Sequence, residues 1–331
     1  MRPPLTILGA GNLGTTLAII LGQADRGSLL WTIEEDVAES IQKKRNNFRY
    51  LPGETIPDCV EVTTDLQVAV HGAEVLCLTV PSHIVRKVAR SLSPHVSRDQ
   101  ILVDMAKGFD PETQQRMLEV LEQEIPVERR PALVAVSGPS IARELVRGVP
   151  TAVAIGSKSP RALERARELL ELPFFRLLPS SDPAGLELCG ALKNVLAIGC
   201  GIADGLELAL NVKAAILAVG LGELATLAEA LGARRETAFG LAGLGDLLVT
   251  GLSPQSRNRT LGEQIGRGKR LEEIRKSMVE VAEGVSTCAI AHDLAKKHGL
   301  NLPILDGLHA IVHRGADPRS TFQLIFASLS A

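Results

Sequence analysis

The chain reads as an α/β protein: a doubly wound sheet domain over residues 1–182, then an all-α domain over residues 183–331. Three observations predict it. From Leu5 to about Pro179, short β-branched or aliphatic runs alternate with helical patterns, the texture of a mainly parallel sheet flanked by helices. A glycine-rich turn joins the first of those runs to the first helical pattern. After Ser180-Ser181-Asp182-Pro183 the texture changes to long patterns rich in Ala, Leu and Gly with no convincing strand, which marks a domain boundary. At 331 residues the length allows two buried cores.

Strands are predicted at residues 5–8, 28–31, 60–63, 75–80, 101–104, 133–137 and 152–155. Between the first two, Leu13, Leu17, Leu21 and Ala24 recur at helical spacing, so one helix face covers the sheet in a βαβ unit. Beyond the boundary, residues 186–206 are nearly all apolar with closely spaced glycines, which predicts a helix buried among close neighbours. Residues 285–298 predict a helix stopped by Gly299 and then Pro303, and a final helical segment follows Asp317-Pro318.

Composition excludes several classes. With 45% hydrophobic residues and 36 basic against 38 acidic groups, the formal net charge of -2 fits neither a disordered chain nor a basic nucleic-acid binder. Trp 1, Tyr 1 and Phe 7 are too few for stacking platforms, so the cores are aliphatic. Five cysteines, odd in number and mostly in apolar runs, predict reduced core thiols in a cytoplasmic protein, and no metal-ligand spacing occurs. The uncharged stretch between Arg2 and Asp25 could be taken for a signal peptide, but Gly9, Gly11, Asn12, Gly14, Thr15 and Thr16 interrupt it. The later apolar runs, 195–203 and 214–222, are too short to span a membrane, and none is predicted.

The sequence Gly9-Ala10-Gly11-Asn12-Leu13-Gly14 is a G-x-G-x-x-G between a strand and a helix, which makes the sheet domain Rossmann-type. Its first glycine permits the turn, the second admits a pyrophosphate, and the third lets helix and strand approach; the bland alternative is a merely glycine-rich turn. Lys193 and Asn194 interrupt the most apolar helix, where burial would lower a lysine pKa toward the range useful for proton transfer, unless the side chain snorkels to the edge. Lys107 follows the strand at 101–104, where ligands of open sheets bind, although a solvated loop lysine is the commoner case. Ser137-Gly138-Pro139-Ser140 and Gly243-Leu244-Gly245-Asp246 read as turns that present N–H groups, a hydroxyl and a carboxylate at loop tips. Ser256-Arg257-Asn258-Arg259 offers a donor set that suits a phosphate, or else a hydrated basic loop. Cys77 and Cys200 are core thiols without assigned chemistry.

Together these pieces resemble the bacterial NAD(P)-dependent glycerol-3-phosphate dehydrogenases over essentially the whole chain. The resemblance is carried by residues 9–15, Val80-Pro81-Ser82-His83, Ala106-Lys107-Gly108, residues 137–144 with 148–153, 190–205, 241–247, 255–259, and Glu283-Gly284. It implies interconversion of sn-glycerol 3-phosphate and dihydroxyacetone phosphate, run chiefly toward glycerol 3-phosphate for phospholipid synthesis. It also implies a second domain like the helical one of 6-phosphogluconate dehydrogenase. By this resemblance Lys193 is the proton acceptor and donor, assisted by Lys107 and Asp246. Lys107, Gly138, Ser140, Lys193, Asp246, Ser256, Arg257 and Asn258 contact the substrate. Gly9, Gly11, Asn12, Leu13, Gly14, Ile33, Glu34, Lys107, Ala142, Arg257, Val281 and Glu283 contact the cofactor.

Three residues depart from the family pattern: Ile33 where Arg or His is common, Val219 where an arginine is common, and Ala282 where a valine usually precedes the glutamate. The cofactor is NAD or NADP. Ile33, Glu34, Glu35 and Asp36 offer no cation for a 2′-phosphate, so NADH is expected to serve at least as well as NADPH unless Arg45 or Arg49 folds back. The expected partner is a small phosphorylated substrate and not a nucleic acid; Val219 leaves a subunit contact, and so a homodimer, open. Two other readings are another hydroxyacid dehydrogenase of this architecture, which would not need Ser256-Arg257-Asn258 beside Asp246, and a nucleotide sensor without turnover, which would not need both lysines.

Overall fold

The computed structural model describes residues 3–278 and 282–328, apart from the side chain of Ser277. An eight-stranded sheet organises the first unit. Its strands are β1 (Leu5–Leu8), β2 (Ser28–Trp31), β3 (Val60–Thr63), β4 (Val75–Leu78), β5 (Ile101–Asp104), β6 (Ala132–Ser137), β7 (Thr151–Ser157) and β8 (Phe175–Ser180). Their spatial order is β3-β2-β1-β4-β5-β6-β7-β8. Neighbours run parallel except β6 and β7, whose antiparallel register sets Val134 against Ser157 and Ser137 against Ala154. Strands β1, β2, β4 and β5 are buried at every position, so they read in the sequence as short uninterrupted apolar runs.

β6 begins one residue before the predicted strand, β7 runs from Thr151 to Ser157 rather than over 152–155, and two strands differ further. β4 stops at Leu78 rather than residue 80, because Thr79 turns its hydroxyl back to donate to the Gly9 carbonyl at 2.9 Å. β8 was not predicted: it is an edge strand in which Phe175 and Leu177 are buried while Arg176 and Leu178 are exposed. That period-two alternation was its signal, and an edge position tolerates Pro179. Strand order reverses at β1, between β2 and β4, so the loop leaving β1 lies at the topological switch point where ligands of such sheets bind. The helix Asn12–Gln23 follows at once, with Leu17, Ile20 and Leu21 fully buried in the same core as Ile7, Leu30 and Val103.

Residue contacts divide the chain into one unit up to Ala106 together with Gln115–Pro183, and a second made of Lys107–Gln114 with the residues from Ala184 on. The segment after β5 therefore belongs to the helical unit, which a boundary drawn once along the sequence does not express. That unit is all-helical among its described residues. Its central helix, Pro183–Gly205, is buried from Gly185 to Ala203. This helix and Leu210–Ala230 are long and apolar enough to cross a membrane by length and composition, but the apolar stretch of the first is buried throughout. Val219 lies on an exposed part of Leu210–Ala230, so its departure from the family pattern is not one of internal packing. Four of the five cysteines are buried free thiols, whereas Cys59 is exposed, contrary to the core position expected of it, because it follows the exposed Asp58 just before β3.

Glu223 fastens two of these helices. Buried on Leu210–Ala230, it accepts the Ile304 and Leu305 N–H groups at 2.8 and 3.0 Å, two first-turn donors of the helix Pro303–Arg314 that have no partner within their own helix. Burial pushes its carboxyl up to about 7, against the pull of those N–H groups. The folded chain thus keeps a proton that the unfolded chain releases near pH 4.5, so this site's stability is full at low pH and is lost as pH rises through about 7. Thermal denaturation between pH 5 and 8 should show that loss in the native protein and a flatter profile in Glu223→Gln; parallel profiles would contradict it.

Candidate active site

In the first unit the glycine turn is built for close approach. A side chain on Gly14 would put its Cβ 1.9 Å from the Gly9 carbonyl oxygen, so only glycine lets the helix start so near the end of β1. A Cβ on Gly11, by contrast, would meet no atom within 4 Å. The helix Asn12–Gln23 begins after Gly11 with no side-chain cap, leaving first-turn N–H groups for an anion. The Asn12 Oδ1 is buried without a partner beside them. Open backbone and uncapped N–H donors fit a dinucleotide pyrophosphate, which only accepts hydrogen bonds, whereas the Asn12 Oδ1 would need a donor. Leu13 is part-buried against the sheet core. At the end of β2, Ile33 is 71% exposed, and Glu34 pairs with Arg49 and accepts the Tyr50 hydroxyl at 3.1 Å. Gly138, Ser140 and Ala142 also belong to this unit: the Ser140 hydroxyl donates to the Gly138 carbonyl at 3.3 Å, and Ala142 opens the short helix Ala142–Leu145.

The second unit gathers the charged residues. Lys193, 4% exposed, lies within the central helix, with its Nζ 3.1 Å from Asp246 Oδ1. Asp246 is 2% exposed, and its Oδ2 accepts from Lys107 Nζ at 2.7 Å. One buried carboxylate therefore holds two ammonium groups, one on each oxygen. The Lys193 pKa is lowered to about 8, chiefly by burial and further by Lys107 and Arg257, against the upward pull of Asp246. Although burial opposes its ionisation, the two lysines hold Asp246 below the usual carboxylate range.

Asp246 stands where it does because of the segment before it. Residues Leu241–Gly245 wind as a π-helical turn that runs straight into the helix Asp246–Leu252, so the carboxylate is buried at a helix start rather than at the exposed loop tip the sequence suggested. Gly243 makes this winding possible, since a Cβ there would sit 1.9 Å from the Ala238 carbonyl oxygen. One turn later on the same helix face, Thr250 accepts from Lys193 Nζ at 2.5 Å and donates to Asp246 Oδ1 at 3.2 Å. Sequence reasoning missed Thr250; its one signal was the four-residue spacing from Asp246.

The phosphate candidates also form a helix start rather than a loop. Ser256 caps the helix Arg257–Gly266 by accepting the Arg259 N–H at 3.2 Å, and Arg257 is exposed at its first position. Arg259, next in the motif, is committed to Asp204 at 2.7 Å. Asn258 turns inward: its Nδ2 donates to Asn194 Oδ1 at 2.9 Å, and its Oδ1 accepts the Gly284 N–H at 3.0 Å. Its side chain thus fastens three helices, leaving its backbone N–H as the group that could face a ligand. Glu283 begins the helix Glu283–Lys297 beside that contact. Val281 lies outside the described residues. Among the described residues no group of three His, Cys, Asp or Glu is placed to hold a metal ion.

A doubly wound sheet with a dinucleotide turn, and a helical unit built around a buried lysine of depressed pKa, define a nicotinamide-dependent dehydrogenase. Family models described as the N-terminus and C-terminus of NAD-dependent glycerol-3-phosphate dehydrogenase match residues 4–163 and 182–323, and the chain belongs to that family. It is 43% identical over 316 residues to a glycerol-3-phosphate dehydrogenase [NAD(P)+] of Koribacter versatilis, covering 95% of this chain and 94% of that one. It is 37% identical over 332 residues to that of Citrifermentans bemidjiense, covering 100% and 99%. The crystal structure of the Coxiella burnetii glycerol-3-phosphate dehydrogenase superposes with a TM-score of 0.93 at 34% identity, over 98% of this chain and 99% of that chain.

Proposed function

We propose that this chain interconverts sn-glycerol 3-phosphate and dihydroxyacetone phosphate, with NAD or NADP as cofactor, and supplies glycerol 3-phosphate for phospholipid synthesis. The reading is carried by the buried Lys193, Asp246 and Lys107 set within a chain that matches this family over both of its parts. Its free thiols suit the reducing cytoplasm.

In alcohol oxidation, the C2 hydroxyl gives its proton to the neutral amine of Lys193, which a pKa of about 8 makes available near physiological pH. When bound, the nicotinamide ring supplies the hydride acceptor, or the donor in the reverse direction. In ketone reduction the ammonium of Lys193 returns the proton to the developing oxyanion. Asp246 keeps the Lys193 and Lys107 ammonium groups on its two oxygens, and Thr250 fixes the Lys193 amine. Arg257, the Ser256 hydroxyl and the N–H groups at the start of helix Arg257–Gly266 receive the phosphate, with Asn258 through its backbone. Gly138 and Ser140 complete the substrate set. Gly9, Gly11, Asn12, Leu13, Gly14, Ile33, Glu34, Ala142, Val281 and Glu283 serve the cofactor.

Purified protein mixed with NADH or NADPH and dihydroxyacetone phosphate should oxidise the cofactor. Binding without turnover would point to a sensor, and preference for an unphosphorylated hydroxyacid or ketoacid to another dehydrogenase. The phosphate assignment has its own test. Arg257→Ala removes a charge-assisted contact of about 1.5–3 kcal/mol, so KM for dihydroxyacetone phosphate should rise about tenfold or more. Turnover of unphosphorylated dihydroxyacetone should barely change. Equal losses on both substrates would assign Arg257 to the fold or the cofactor.

A further inference from the structure

The segment after the helix Glu35–Lys44 is fastened to the glycine turn. Asn47, fully buried, donates its amide to the Ala10 carbonyl and to the Thr15 hydroxyl, both at 2.8 Å. Its Oδ1 accepts the Tyr50 N–H at 3.2 Å, and its carbonyl accepts the Leu51 N–H at 3.1 Å. Residues 48–50 therefore form a tight bend standing on the dinucleotide turn itself.

From that bend Arg49 reaches the end of β2. Its guanidinium pairs with Glu34 and, at 2.6 Å, with Asp36, while Tyr50 donates to the same Glu34 oxygen. Glu34 lies about 20 residues beyond the motif's last glycine, where a carboxylate accepts a ribose 2′-hydroxyl in NAD-linked sheets. Ile33 cannot pair with a phosphate, and Glu34, Glu35 and Asp36 would repel one. Arg45 is committed elsewhere: it donates to the Ile56 and Val60 carbonyls at 3.1 and 3.0 Å and lies 3.5 Å from Asp58. Arg49 is thus the cation whose return was the condition for reversing an NADH preference.

We propose that Arg49 determines cofactor specificity in this chain, with its guanidinium, held at the β2 end by Glu34 and Asp36, serving as the receptor for the 2′-phosphate of NADP. The planar fork that grips two carboxylates can exchange one of them for a phosphate, which it matches equally well. With NAD, Glu34 accepts the 2′-hydroxyl and Arg49 remains on the carboxylates, so one site takes both cofactors. The inference rests on the dehydrogenase reading and names the residue that sets its cofactor choice.

The test measures dissociation constants of NADPH and NADH by protein fluorescence, and kcat/KM for each with dihydroxyacetone phosphate, at fixed ionic strength. Arg49→Gln should weaken NADPH at least tenfold while changing NADH less than threefold. Glu34→Gln should move the ratio the other way, by removing a repelling charge and the hydroxyl acceptor. The NADPH dissociation constant of the native protein should also rise more steeply with salt than that of NADH. A ratio unmoved in Arg49→Gln, or one that shifts in the same direction in both variants, overturns the proposal. Cofactor binding that follows these ratios without turnover would instead leave Arg49 in place and overturn the dehydrogenase reading.

Discussion

Lys193→Ala is expected to lower kcat by at least about 10³-fold in both directions, because proton transfer from a positioned group contributes about 10²–10⁴-fold and the amine's contact with the substrate oxygen goes too. Binding of NADH should survive. The glycine turn that would hold the dinucleotide lies in the other unit, and its geometry depends on Gly9, Gly14 and Thr79 rather than on the helical unit. Truncation also leaves a void where a 4% exposed side chain stood, so Lys193→Met, which fills the space without an ionisable group, is the better-packed companion. Both variants should be equally inactive although they differ in stability. Small primary amines should restore part of the activity to the alanine variant only, since only it has room for them. Near-native kcat in Lys193→Met would remove Lys193 from the chemistry.

How far such a site can be read from sequence depends on the distance over which its geometry is set. The glycine turn was legible because its constraint is local: a strand, three glycines at fixed spacing and a helix start all lie within about ten residues. Lys193 was legible because an ammonium in a nearly continuous apolar helix must be either compensated or at an edge, and the structure finds it buried beside Asp246. Thr250 was not, since nothing in an ordinary helix marks a threonine whose partner stands 57 residues earlier. Asn258 looked like a phosphate ligand by its neighbours Ser256 and Arg257. Its side chain is instead spent on Asn194, 64 residues away, and on Gly284. Asp246 was expected at a loop tip because glycines usually mean turns; here Gly243 is glycine to clear the Ala238 carbonyl, a contact no local pattern announces. The fold followed the same rule. Strands buried on both faces stood out as apolar runs, while the edge strand β8, half exposed and carrying Pro179, did not.

Asp246→Asn should be the most damaging change that keeps the shape of the site. Asparagine can still accept hydrogen bonds, but it cannot balance two ammonium groups, one of them only 4% exposed. Losing one partner of a buried ion set costs about 3–5 kcal/mol, limited here because Lys193 can shed its proton. Asp246 is what holds the Lys193 pKa up against burial and against Lys107 and Arg257, so without it that pKa falls below about 8. In ketone reduction, which needs the ammonium, activity should decline with rising pH from a lower midpoint than in the native protein. In alcohol oxidation, which needs the amine, the rising limb should move the same way, with kcat reduced in both because neither lysine is held in place. Stability carries the matching sign. The unfolded chain binds a proton at Lys193 up to about pH 10.5 that the folded variant has already lost, so the variant gains stability as pH rises and begins to do so at lower pH than the native protein. Thermal melts from pH 6.5 to 9.5 with both pH–rate profiles check this. If Asp246→Asn left the Lys193 midpoint in place, Asp246 would not be the group that sets it, and the charge balance proposed for the site would be wrong.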